Sequence, residues 1–175
     1  MRRALAFAPL ALFVIIAAVS LIALSRPGER ETAPAGLIGA PVPAYALARL
    51  DGQGQATPAA FAGRAYVINL FASWCAPCRA EHPQLMALAE SGVPILGIAY
   101  KDAPAASAAF LRELGDPFEL VGVDRAGDYA LEIGVTGVPE TFVIGADGRI
   151  RAAHRGPLTE AAVRDVISPA LRETP

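Results

Sequence analysis

The chain has 175 residues, with 15 basic and 17 acidic side chains and a formal charge of −2. Apart from two arginines at the start it carries no dense run of Lys and Arg, which argues against nucleic acid as a partner. Its two cysteines lie three positions apart, and a loop that small constrains the unfolded chain too little to act as a structural staple. About 150 residues remain beyond the apolar start, enough to bury a core without disulfide support.

Met1-Arg2-Arg3 precedes an uncharged run over residues 4–24, interrupted by Pro9 and Ser20. Roughly 20 apolar residues span a bilayer core, whereas a cleavable signal peptide has a shorter apolar region and a small-residue cleavage site. Ala23-Leu24-Ser25 resembles such a site only loosely, so residues 1–25 are predicted to be an uncleaved membrane anchor. Arg2 and Arg3 favour a cytoplasmic N-terminus; Arg26 and Arg30 oppose that bias, although Glu29 and Glu31 accompany them. The remainder then lies outside the cytoplasm, where disulfides persist. Residues 26–36, with Pro27, Gly28 and Pro34 among charges, read as a linker, and residues 37–175 as one α/β domain.

Within that domain, residues 45–50 followed by Asp51-Gly52 suggest a strand entering a turn. Residues 65–72 form a continuous apolar run typical of a strand buried on both faces. A helix is predicted to open within Trp74-Cys75-Ala76-Pro77-Cys78 and to run to about residue 90, before Gly92 and Pro94. Residues 94–100 read as a second buried strand, 105–114 as a helix stopped by Gly115, and 118–123 as a third strand. A short helix follows near residues 129–133. Residues 141–144 and 149–153 flank Ala146-Asp147-Gly148 as a hairpin, and Thr159 is placed to cap a last helix toward Arg172. Strands alternating with helices, then a hairpin and a closing helix, imply a mixed sheet covered on both faces.

The chemistry sits in the cysteine pair. A sulfur at a helix N-terminus lies beside unpaired N–H groups and the positive end of the dipole, which lowers its pKa and makes Cys75 the expected nucleophile. Cys78, three residues on, is close enough for a disulfide to open and close with little backbone movement. Zinc would need four ligands, and only His82 and His154 supplement the two sulfurs, so no metal is expected; His82 reads as a surface residue. Trp74 borders the pair, either as a flat surface for a substrate or as a shield over the disulfide. Tyr100-Lys101-Asp102 reads as a polar strand exit with no catalytic role.

Val-Ile-Asn-Leu-Phe-Ala-Ser-Trp-Cys-Ala-Pro-Cys, residues 67–78, resembles the active-site strand and helix of thioredoxin-like proteins. With Cys78-Arg79-Ala80-Glu81-His82, Tyr100-Lys101-Asp102, Gly137-Val138-Pro139-Glu140-Thr141-Phe142 and Leu37-Ile38-Gly39-Ala40-Pro41-Val42-Pro43, the chain is similar over nearly its whole length to the cytochrome c maturation thiol-disulfide oxidoreductases, the CcmG/DsbE group. The resemblance implies a thioredoxin-like fold behind one N-terminal transmembrane helix, on the periplasmic side of a bacterial inner membrane. It implies that Pro139 is a cis-proline, which leaves the Val138 backbone free to pair with a substrate strand. Ordinary thioredoxins carry a buried Asp where this chain has Asn69. In the resembled group, acids matching Glu81 and Glu140 line the site, and Glu81 would accept the proton of Cys78 if burial raises its pKa. The implied substrate is the oxidised cysteine pair of apocytochrome c, or another disulfide-bearing extracytoplasmic protein. The electron donor would be a membrane thiol reductant, and no cofactor is implied. A disulfide-installing oxidant, a reductase for another client and a non-catalytic metallochaperone are the alternatives; the last typically has three residues between its cysteines.

Overall fold

A computed structural model of the protein describes residues 8–24, 36–44 and 46–172. The chain divides into two units, Met1–Glu31 and Thr32–Pro175, and each is described by itself.

The described part of the first unit is one helix, α1 (Ala8–Leu24), of 17 residues with no charged side chain. Leu12, Phe13, Ile15, Val19 and Leu21 on it are all exposed. Among the described residues no helix is long and apolar enough to cross a membrane; α1 is shorter than the roughly 20 residues a bilayer core requires. The start of the predicted anchor, residues 1–7, and all of the predicted linker except Gly36 lie outside the described residues.

The second unit is built on a strand with no exposed side chain. β3 (Tyr66–Phe71) is buried along its whole length, and its pleat sends alternate residues to opposite faces. Tyr66, Ile68 and Leu70 join Phe142, Ile144, Leu96 and Ile98 in one core layer. Val67 and Phe71 point the other way, Val67 toward Leu85 and Leu88 and Phe71 toward the cysteines. Asn69, between them in the period, shares that second face.

Around β3 the sheet has the order β2-β1-β5-β4-β3-β6-β7. β4 (Ile95–Tyr100) and β5 (Leu120–Asp124) continue it in parallel. β6 (Glu140–Ile144) and β7 (Ile150–Arg155) form the antiparallel hairpin on the other side. β1 (Leu47–Arg49) and β2 (Gln55–Ala56) close the far edge, antiparallel to β5 and to each other. The helices are α2 (Ala76–Glu90), α3 (Pro104–Leu114) and the short α4 (Asp128–Glu132). A last helical segment runs from α5 (Glu160–Ala162) through a π-helical turn (Val163–Ile167) into α6 (Ser168–Arg172). Parallel strands joined through helices, with an antiparallel hairpin at one side, make this the thioredoxin-like α/β fold.

Three boundaries differ from the sequence reading for local reasons. The strand predicted over residues 45–50 starts at Leu47, Tyr45 lying outside the described residues, and the Asp51 carboxylate accepts the Gln53 N–H at 2.9 Å to turn the chain into β2. The third strand begins at Leu120 because Asp116 accepts the Phe118 N–H at 3.0 Å and holds a turn there. The closing helix is capped by Thr159, whose hydroxyl accepts the Ala162 N–H at 3.1 Å, but it widens into a π-turn before Arg172.

Gly97 in β4 leaves room for the Phe118 ring, which a Cβ there would meet at 2.7–2.9 Å. Such overpacking costs roughly 1–3 kcal/mol. Gly97→Ala is therefore expected to lower the midpoint of denaturant unfolding with an unchanged slope, and an unchanged midpoint would contradict this packing.

Candidate active site

The buried β3 ends at Phe71, and after four intervening residues the chain is helical from Ala76. Cys75 is the N-cap of α2, in extended conformation at φ −90° and ψ 104°. Its N–H donates to the Ala72 carbonyl at 3.2 Å, and its Sγ accepts the Cys78 N–H at 3.1 Å. A cap that accepts a backbone N–H satisfies one of the donors a helix start leaves open. The same N–H would stabilise a thiolate on Cys75. Cys75 and Cys78 form a disulfide with their Cα atoms 5.3 Å apart. Cys75 is 4% exposed and Cys78 1%. The first cysteine is thus the more accessible of two buried residues, and it packs with Phe71, Phe110 and Leu111.

Two contacts from the end of β4 pin the residues before Cys75. The Asp102 carboxylate accepts the Ser73 N–H at 2.7 Å, the Ser73 hydroxyl at 2.9 Å, the Ser107 hydroxyl at 2.7 Å and the Ala103 N–H at 2.8 Å. Burial raises its pKa, but these four donors outweigh burial and hold the carboxyl below its ordinary value. The Trp74 indole N–H donates to the Lys101 carbonyl at 3.3 Å, while the ring stays 60% exposed. Lys101 makes this turn with a left-handed φ of 46°, uncommon for a residue with a side chain. The strand exit that read as merely polar is therefore what braces the cysteine loop.

Glu81 is fully buried on the α2 face that looks at the sheet. One carboxylate oxygen accepts the Asn69 amide N–H at 2.9 Å, and the other accepts the Leu158 backbone N–H at 2.8 Å. The second N–H of Asn69 goes to the Thr141 hydroxyl at 3.0 Å. Burial pushes the Glu81 carboxyl up to about 7 against the opposition of both hydrogen bonds. A solvated helix carboxylate would show none of this. His82, expected at the surface, is buried instead: its Nε2 lies 3.0 Å from the Gly115 carbonyl and its ring stands edge-on to Phe110. Burial lowers its pKa. Arg79 pairs with Glu113 at 2.6 Å and stacks over Phe110, so its charge is engaged on α3.

The Val138–Pro139 bond is cis, and half-buried Val138 packs against the cluster that contains both cysteines. Glu140, next in sequence, is buried on the sheet face opposite Glu81, as the alternation along β6 requires. Its carboxylate accepts the Thr136 N–H at 2.9 Å and the Thr136 hydroxyl at 2.8 Å, with the Arg155 guanidinium 3.5 Å away. Of the predicted site residues, Cys75, Cys78 and Val138 meet in one cluster, and Trp74 flanks it. Glu81 lies one helical turn beneath Cys78, and Glu140 holds the cis-proline loop from the far side. Asp102, Ser73, Ser107, Thr141 and Leu158 were missed; each acts through a partner distant in sequence, and only Asp102, at the end of a buried strand, left a local sign.

A disulfide seated at a helix N-terminus, with the residue before a cis-proline packed in its cluster, fits a thioredoxin-like thiol-disulfide oxidoreductase. The chain belongs to the Redoxin family, whose profile matches residues 37–167, and its curated relatives are thiol:disulfide interchange proteins. It is 37% identical over 175 residues to HelX of Rhodobacter capsulatus, covering 99% of each chain. It is 38% identical over 174 residues to DsbE of Escherichia coli K12, covering 97% of this chain and 94% of the relative. Among solved structures, a DsbE homologue from Chlorobium tepidum superposes with a TM-score of 0.66 at 26% identity, covering 77% of this chain and 97% of that one.

In the reduced protein, iodoacetamide near neutral pH is expected to modify Cys75 well before Cys78, since Cys75 is the more accessible and has the cap N–H; peptide mapping that found Cys78 modified first would contradict this. Replacing Asp102 by Asn puts an amide donor among four donors. Because Trp74 is the one tryptophan of the chain, its emission reads the result directly: a shift to longer wavelength is expected, and an unchanged spectrum would show that Asp102 does not brace the loop. The Glu81 shift also fixes a stability trend. Between its ordinary value of 4.5 and about 7 the folded state holds a proton that the unfolded state has lost. Stability therefore falls as pH rises through that window. Glu81→Gln is expected to flatten this slope in unfolding titrations at pH 4–8, and a slope equal to the parent's would contradict the assignment.

Proposed function

We propose that this protein is a membrane-anchored, extracytoplasmic reductant of apocytochrome c disulfides, acting before haem attachment. Cys75 thiolate attacks one sulfur of the substrate disulfide, forming a mixed disulfide and releasing the other substrate sulfur as a thiolate. Cys78 then gives its proton to Glu81 and attacks the Cys75 sulfur; the second substrate thiolate leaves and the 75–78 disulfide closes. A membrane thiol reductant returns the two electrons. Trp74 offers the substrate an exposed face, and the Val138 backbone next to the cis bond offers it a strand edge, with Pro139 and Glu140 holding that loop in place.

The observation that carries this reading is the Cys75–Cys78 disulfide at the α2 N-terminus with Glu81 buried one turn beneath it, where burial raises the carboxyl to about 7 and suits it to take a proton at ambient pH. The relatives named DsbE and HelX support an interchange role, and the uncharged run over residues 4–24 behind Arg2 and Arg3 supports the anchor. A reductant is favoured over an oxidant because Ala76 and Pro77, between the cysteines, bring no donor or cation to stabilise the reduced form, and Arg79 is occupied by Glu113. Its potential is accordingly expected nearer the thioredoxin value of about −270 mV than the oxidising extreme of about −120 mV.

The Cys78→Ser variant, expressed as the full chain, is expected to accumulate a mixed disulfide with an apocytochrome c through Cys75. Capture of other disulfide proteins to the exclusion of apocytochrome c would replace the client, and a glutathione titration near the oxidising extreme would replace the reductant.

A further inference from the structure

We propose that Asn69 is a positioning residue for Glu81: its side-chain amide, which now donates to both the carboxylate and the Thr141 hydroxyl, reverses end for end when Glu81 takes up a proton. The consequence for the reaction rests on Glu81 being the proton acceptor for Cys78.

The argument is a count of donors and acceptors in a closed site. Asn69 and Thr141 are direct partners across β3 and β6, and both are fully buried. The two amide protons of Asn69 are spent on Glu81 Oε1 and Thr141 Oγ1, and its Oδ1 has no hydrogen-bond partner. An ionised carboxylate only accepts, so this orientation suits Glu81 without a proton. Oε2 faces the Leu158 backbone N–H, a donor that cannot reverse. A proton carried on Oε1 on the side of the Asn69 amide would meet an N–H, donor against donor. Turning the amide by half a rotation brings Oδ1 to that place. It can then accept the Glu81 O–H, and the Thr141 hydroxyl rotates to donate to it as well.

Reversal moves the NH2 end into the position where Oδ1 now lacks a partner. One end of the amide is unpartnered in either orientation: the oxygen before reversal, the amino group with its two donors after it. The bonds gained from the Glu81 and Thr141 hydroxyls offset the extra unpaired donor, so the proton on Glu81 decides between the two states. An aspartate at this position could not reverse and would add a second buried charge, and an apolar residue would leave Oε1 unpaired. Cys78 lies one turn back on α2, and His154 on β7 is the strand partner of Thr141, with its ring against the Pro157 carbonyl. No charged side chain contributes to the Glu81 shift among the described residues.

The test is a pH titration by NMR of the full-length, oxidised chain in detergent solution, where the cysteines do not titrate. The Asn69 side-chain amide resonances and the Glu81 carboxyl carbon are followed together. Both are expected to move with one midpoint near 7, and the Asn69 movement is expected to vanish in Glu81→Gln, which separates it from any titration of His154. In Asn69→Ala the Glu81 midpoint should rise by less than about one pH unit, because the charge-assisted bond lost to the carboxylate is stronger than the neutral bond lost to the acid; should that variant fail to fold, the wild-type titration and its Gln control decide alone. Asn69 resonances that stay fixed while Glu81 titrates, or that move equally in Glu81→Gln, would overturn the proposal. The two readings fail separately. An amide that follows Glu81 in a protein whose Glu81→Gln form exchanges disulfides at the parent rate sustains the Asn69 response and removes Glu81 from catalysis. A fixed amide alongside a slow Glu81→Gln enzyme does the reverse.

Discussion

The site depends on one constraint: β3, buried on both faces, must hand the chain to a helix within four residues of leaving the sheet. That abrupt change puts Cys75 at the cap of α2, where the helix has N–H groups to spare, and puts Cys78 one turn in, where none of its surface is free. The difference in accessibility between the two cysteines follows from this geometry. Because the four residues of the turn have little structure of their own, they need bracing from outside. Asp102 and the Lys101 carbonyl supply it from the neighbouring parallel strand.

The pleat of β3 and β6 then distributes the polar groups. Asn69 and Thr141 fall on the α2 face and Glu140 on the opposite one, so the two acids beside the cysteine motif and the cis-proline do different work. Glu81 is sealed between helix and sheet with no charged partner among the described residues, and this burial raises its pKa against the pull of its two donors. Glu140 meets Thr136 and Arg155, and its role is to hold the loop that presents Val138. Position in the period of a strand, more than nearness in sequence, decides which face the partners of each acid occupy.

The elements that carry their own signal were legible in the sequence. The apolar runs of β3 and β4 named themselves, as did the cysteine motif opening α2 and the Asp-Gly hairpin between β6 and β7. The resemblance supplied the cis-proline. The misread features were those settled by distant partners. His82 looked like a surface residue because nothing near it in sequence announces the Gly115 carbonyl or the Phe110 edge. Asp102 looked like a strand exit because its four donors are spread from residue 73 to residue 107. Asn69 looked like the loss of an ionisable group, and only the fold shows that its amide meets a carboxylate arriving from α2.

The central claim is that Glu81 takes the proton from Cys78 as the mixed disulfide resolves. The most direct measurement is the single-turnover rate at which a substrate peptide is released from a preformed mixed disulfide with Cys75, followed from pH 5 to 9 in the parent protein and in Glu81→Gln. The parent rate should rise with an inflection near 7, where the carboxyl loses its own proton, and the variant should be slower by roughly 100-fold or more and lack that inflection. Equal rates with the same inflection in both proteins would contradict the account.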